Sequence, residues 1–207
     1  MVLSVITLAV TAPLLATSTM QLSDQAQKRS DQGQQELKRQ KCHLAVRASP
    51  RMSTNRREEL ANKVVVVRDG RLLLSDPKQA TDHPFTGYFL PFPETQYDGL
   101  VTTINNDNFL NWVYIDTTTF QLKHGTRADA QPQLTGPMDL KLCKNGERRL
   151  TFRDWEGFVA VEESPDRWAL YFDVHDDGLE DKRLGKYVVE VELIRKDLDD
   201  DHHPHSS

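Results

Sequence analysis

From Lys63 to Ile194 the chain reads as short β-branched and aromatic runs, broken by turn residues at intervals of about eight to twelve positions. That rhythm fits antiparallel β-structure and little else. Lys63 to Val67 and Arg71 to Leu74 flank Asp69-Gly70, a pair suited to a two-residue hairpin turn whose central residues both need positive φ. Phe158 to Glu162 and Trp168 to Phe172 flank Ser164-Pro165-Asp166, where Pro presets φ and Asp tolerates the turn. Met138 to Cys143 and Arg149 to Phe152 stand on either side of Lys144-Asn145-Gly146-Glu147. Gly99 to Ile104, Phe109 to Ile115 and Phe120 to His124 supply further strands, and the middle one, apolar on both faces around Asn111, reads as central. Arg127 to Pro137 reads as turns around a short strand. From Asp82 to Pro93 three prolines remove ladder donors, which confines that segment to a sheet edge or an ordered loop. Tyr187 to Ile194 sets Val189, Val191 and Leu193 against Glu190 and Glu192, the alternation of a half-buried final strand. The expected fold is all-β, an antiparallel sandwich or barrel of about nine to eleven strands. An N-terminal hydrophobic helix and a polar helical or disordered arm precede it.

Aromatic side chains carry much of the buried area of a core, and all of them lie between Phe85 and Tyr187. This fixes the organisation expected along the chain: a hydrophobic membrane anchor at 1–20, a basic polar stalk at 21–62, an all-β domain at 63–196, and an acidic, His-containing disordered tail at 197–207. The net charge of −5 conceals a basic arm on an acidic body. An acidic body argues against nucleic acid as a partner of the whole protein. Two cysteines, Cys42 and Cys143, are too few for a disulfide-stapled scaffold and read as free thiols in a reducing compartment.

Val2 to Met20 carries no charge. As a helix it would span about 28 Å, near the thickness of a bilayer core. Lys and Arg flank only its C-terminal side, which under the positive-inside rule places the β body in the cytosol. The competing reading is a cleaved signal peptide ending near Ala16-Thr17-Ser18, which would make the protein secreted; the missing basic n-region speaks against it. Gln21 to Arg57 lacks an apolar face and reads as a solvated spacer.

The chain carries no nucleophile elbow, zinc-protease motif or phosphate loop, so no catalytic residue and no cofactor is assigned. Asp173 to Gly178 begins like a calcium loop, but Leu184 stands where the bidentate Glu belongs, and no metal site is assigned. The sharpest constellation is Trp112, Tyr114, Trp155, Trp168 and Tyr171. Its ordinary reading is a Trp-rich core. Its functional reading is the wall of a cavity for a hydrophobic small molecule, with Asn111, Arg127 and Asp129 as the few placed polar groups such pockets carry.

The runs TGYFLPFPE (86–94), GLVTTI (99–104), NWVYID (111–116), KHGTRADAQP (123–132), LTGP (134–137), LTFRDWEGFVAVEES (150–164), WALYFD (168–173) and DDGL (176–179) resemble a family of small proteins of filamentous fungi. The resemblance covers about residues 64–195. It implies, for some members, a place beside polyketide–nonribosomal peptide synthases, where small β proteins shape reactive hydrophobic intermediates; it implies no catalytic residues. The function expected is a membrane-tethered accessory β protein that positions a hydrophobic molecule and assists its cyclisation without a cofactor. The alternative is a non-enzymatic module presented to a protein partner at a membrane. An internal apolar void would favour the first, a filled interior with exposed apolar residues the second.

Overall fold

The structure, a computed structural model, describes residues 14–49, 54–61, 63–78, 82–182 and 187–198. The chain divides into two compact units, Met1–Leu37 and Lys38–Ser207. The first contains most of helix α1, Leu14–Arg39.

The expected membrane anchor does not survive. Residues 1–13 lie outside the described residues, and α1 takes only its first seven residues from the uncharged stretch. It then runs on through Asp24, Lys28, Arg29, Asp31, Glu36, Lys38 and Arg39, charges that cost several kcal/mol each in hydrocarbon. Among the described residues no helix is long and apolar enough to cross a membrane, so single-pass anchoring, and the cytosolic placement of the body derived from it, fall with it.

The second unit is all-β. Its strands are β1 Cys42–Ala48, β2 Val64–Arg68, β3 Arg71–Ser75, β4 His83–Pro84, β5 Gly87–Pro91, β6 Asp98–Thr103, β7 Leu110–Ile115, β8 Leu122–Gly125, β9 Met138–Leu142, β10 Arg148–Phe152, β11 Phe158–Ser164, β12 Arg167–Phe172 and β13 Tyr187–Asp197. Helix α2, Thr54–Leu60, follows β1, and helix α3, Arg127–Ala130, follows β8. The thirteen strands form one antiparallel sheet, against the nine to eleven expected.

The hairpins follow local chemistry. Asp69 (φ 51°) and Gly70 (φ 74°) occupy the left-handed region between β2 and β3, where Arg68 faces Arg71. Asp166 (φ 61°) closes the β11–β12 hairpin, with Ser164 opposite Arg167. Gly146 (φ 84°) sits in the β9–β10 turn. β5 pairs with β6 over five residues and touches β1 only at Cys42↔Gly87. The edge strand here is β4, which carries Pro84 and, among the described residues, pairs only with β2; β5 lies between β1 and β6.

Two differences from the sequence expectation matter. β1 lies within the stretch read as a stalk, yet Cys42, Leu44, Val46 and Ala48 are all buried on one face. β1 pairs with β13 over seven residues, from Cys42↔Asp197 to Ala48↔Val191. Around Arg127 the expected turn is the helix α3, held by a capping box in which Thr126 and Asp129 bond each other's backbone amides, while Leu134, in the stretch expected as a short strand, bridges to Ile115.

Large side chains fill the interior. Phe85, Phe89, Phe158 and Phe172 are each at most 2 % exposed, and Phe172 meets Phe152 and Phe158 edge-on at 5.0 and 5.1 Å. Cys42 and Cys143 are free thiols. Burial pushes the Cys42 thiol up to about 11, so it stays protonated and acts as a small core group.

Candidate functional site

The eight residues singled out from the sequence fall into three neighbourhoods. Asn111, Trp112, Tyr114, Arg127 and Asp129 gather where β7, β8 and α3 meet. Trp112 stacks edge-on against Phe92, with centroids 4.8 Å apart, in a cluster with Tyr97, Tyr114 and Ala130. The Asn111 side-chain amide donates to His124 Nδ1 at 3.1 Å. This puts the ring proton on Nε2, which is buried and has no partner among the described residues. Burial lowers the His124 pKa, and the ring is neutral. Arg127 donates to Glu94 at 2.7 Å, and Asp129 is occupied by the Thr126 cap. Gly125 lets α3 come close, since a Cβ there would lie 2.9 Å from the Asp129 Cβ.

Tyr171 and Trp168 belong to the core around β12. Trp168 is 2 % exposed and faces Leu74 across the β12–β3 ladder. Tyr171 packs with Val66, Leu73, Val159 and Leu179, and its hydroxyl donates to Glu163 at 2.9 Å. Burial, together with that carboxylate, pushes the phenol pKa well above its ordinary value.

Trp155 stands apart, 37 % exposed. Arg153 (φ 52°) and Asp154 (φ 63°) are both left-handed and form a tight turn closed by reciprocal backbone bonds between Phe152 and Trp155. The indole meets Phe172 edge-on at 5.1 Å and lies against Gly157. A Cβ on Gly157 would approach three indole carbons to 2.7–2.8 Å, so only glycine lets the ring sit there. Trp155, Phe158, Val159 and Val191 form the apolar part of a 570 Å³ cleft; Glu156, Asp173, Asp176, Glu190 and Glu192 contribute carboxylates.

These carboxylates are not equivalent. Asp173 accepts from the backbone N–H groups of Asp177 at 3.2 Å and Gly178 at 2.6 Å, which pins the acidic turn after β12. Glu192 bridges Arg47 and Arg149, each at 2.6 Å. Glu156 accepts from Lys141 at 2.8 Å and Arg149 at 3.3 Å. Glu147 takes both ends of the Arg47 guanidinium at 2.9 and 2.6 Å. The network thus sets three cations against three carboxylates and balances its own charge. Burial acts to raise the Glu156 pKa, but the Lys141 and Arg149 bonds outweigh it and hold the carboxyl below its ordinary range. Asp176 and Glu190 are exposed, and neither forms an ion pair with another described residue. With Asp173 they leave the cleft negative.

A flat, rigid indole wall beside two unpaired carboxylates can hold an apolar ring face while accepting hydrogen bonds from its N–H or O–H groups. Nothing in it resembles a nucleophile–base pair, and among the described residues no group of three or more His, Cys, Asp or Glu is placed to hold a metal. The sequence pointed to Trp155 but not to its neighbours. Asp176 and Glu190 reach it from other elements, and Gly157, two residues on, is the one nearby signal.

No curated protein and no solved structure matches the chain. A family does: the fungal β-trefoil domain aligns with residues 17–199, which include β1 and the whole sheet. The chain therefore belongs to the fungal β-trefoil domain family.

Proposed function

We propose that the protein is a non-catalytic binding module, whose Trp155 cleft takes a small molecule with a flat apolar face and several N–H or O–H donors. One observation carries this reading. Trp155 alone of the three tryptophans is exposed, and it is locked against Gly157 beside Asp176 and Glu190, which form no ion pair among the described residues. Pre-organised aromatic walls with a few polar groups are the usual anatomy of small-molecule sites. The filled interior supports surface binding over enclosure of a chain, because Trp168, Tyr114 and Tyr171 are at most 9 % exposed. An amphipathic product of fungal specialised metabolism, the setting that the resemblance implies, has the required chemistry. Trp fluorescence titration with glucosamine oligomers, which present C–H ring faces, hydroxyls and amines, tests the proposal. Saturable quenching is expected, abolished in Trp155→Ala and weakened in Glu190→Gln. Absence of quenching, or quenching that persists in Trp155→Ala, refutes it.

A further inference from the structure

We propose that the groove between β1, β2 and β4 is a second binding site, for an amphipathic anion: an alkyl or acyl chain ending in a carboxylate. β1 and β2 share the single pair Ala45↔Val64. The strands diverge on either side of it and border a cavity of 640 Å³, within the range of about 300–1,000 Å³ usual for small-molecule sites. Leu44, Ala45, Val64 and Val65 line it, and Pro77 and Pro84 form exposed parts of its rim. Proline brings no amide donor, so a hydrocarbon chain entering here desolvates few polar groups.

One end differs. His43 and Lys196 stand directly opposite each other in the β1–β13 ladder, so their side chains leave the same face of the sheet. Both line the groove. Lys196 is exposed and forms no ion pair with another described residue. The His43 ring is set in place by its Nδ1–H, which donates to the Phe85 carbonyl at 2.7 Å. Among the described residues no carboxylate lines the groove, although the chain carries 31 Asp and Glu against 26 Lys and Arg. The Trp155 cleft is the reverse, with five carboxylates and, among the described residues, no lysine or arginine in its lining. An apolar trough with a lysine at one end and no acid along it complements a carboxylate-headed chain and disfavours a cationic one.

Sodium dodecanoate, titrated calorimetrically into the full chain below its micelle concentration, tests the site independently of the Trp155 reading. Saturable binding is expected, with dodecyltrimethylammonium binding at least about tenfold more weakly. Lys196→Ala, an exposed change, weakens dodecanoate binding by about three- to tenfold. Pro84→Glu at the exposed rim places a like charge beside the ligand and abolishes binding, while thermal melting checks that the variant folds. Trp155→Ala leaves dodecanoate binding unchanged. The proposal is overturned by absence of saturable dodecanoate binding to the wild type, by equal binding of the cationic surfactant, or by indifference to Lys196→Ala.

Discussion

Glu192 is the hinge of the charge network behind the Trp155 cleft, and replacing it by glutamine tests how much that network stabilises the sheet. Its Oε2 accepts from Arg47 Nε and its Oε1 from Arg149 Nη1, both at 2.6 Å. Glutamine keeps the shape and one acceptor but removes the charge that separates two guanidinium groups. Hydrogen bonds to charged groups contribute about 1.5–3 kcal/mol when shielded, and exposed ion pairs about 0.2–1 kcal/mol. The Arg149 leg belongs nearer the first range, since the side chains of Arg149 and Glu192 are 19 % and 20 % exposed. The Arg47 leg belongs nearer the second: Arg47 is 41 % exposed and keeps its paired contact with Glu147. Arg149 Nε is also buried with no partner among the described residues, so that side chain has little reserve. The sum is a loss of about 2–3 kcal/mol, or about 5–10 °C in Tm for a domain of this size. Calorimetry on wild type, Glu192→Gln, Arg149→Met and the double variant gives the loss and the coupling energy. A Tm drop below about 1 °C, or a coupling energy near zero, would refute the assignment of the network as a stabilising unit.

Acid should loosen both this network and the turn between β7 and β8. Hydrogen bonds from Arg47 hold the Glu147 carboxyl down to about 2, from an ordinary value of 4.5. Burial acts to raise Asp116, but bonds from Lys123, Thr119 and Thr118 bring it down to about 2, from 3.8. Both folded-state pKa values are depressed, so their stabilisation is complete above the unfolded values and is lost as pH falls from about 4.5 towards 2. Urea midpoints measured across that window should drop with acid, and the slope should flatten in Glu147→Gln/Asp116→Asn; an unchanged slope would contradict the linkage. Trp168→Ala deletes a fully buried indole and should cost about 3–5 kcal/mol in a urea melt, as a core cavity does; a cost below about 1 kcal/mol would show that the site collapses around it. Gly157→Ala should force the Trp155 ring away from its seat, at about 1–3 kcal/mol of stability, and abolish glucosamine-oligomer quenching. Unaltered quenching would show that the seat is not the binding surface.

How much of this was legible depended on the range of the interaction. The Asp69-Gly70 and Pro165-Asp166 turns declare themselves because local φ preference alone selects them. β1 did not. Its alternation, Cys42-His43-Leu44-Ala45-Val46-Arg47-Ala48, is diluted by small and polar residues inside a basic stretch, and its meaning comes from β13, whose partner residues lie some 150 positions away. Helix α3 was hidden for a related reason: four residues carry no periodicity, and the capping box Thr126–Asp129 is a four-residue signal easily read as a turn. The aromatic constellation could be taken as a core or as a cavity wall, because sequence says nothing of which strands neighbour one another. β7 and β12 are not paired, so Trp112 and Trp168 face different surroundings. The trefoil arrangement rests on such remote pairings, β12 with β3 and β13 with β1, and no local pattern announces them. The anchor failed on a countable property, since the described helix, Leu14–Arg39, runs mostly through charged sequence.

The seven-residue ladder between β1 and β13 also sets a schedule for the chain. The first described strand has its most extensive partner at the far end of the chain, so most of the β1 ladder stays open until synthesis has passed residue 197. Closure is then a late, long-range event of the slow kind. In that interval the nascent chain presents a half-apolar strand with most of its ladder unpaired to whatever chaperone or neighbouring chain reaches it first.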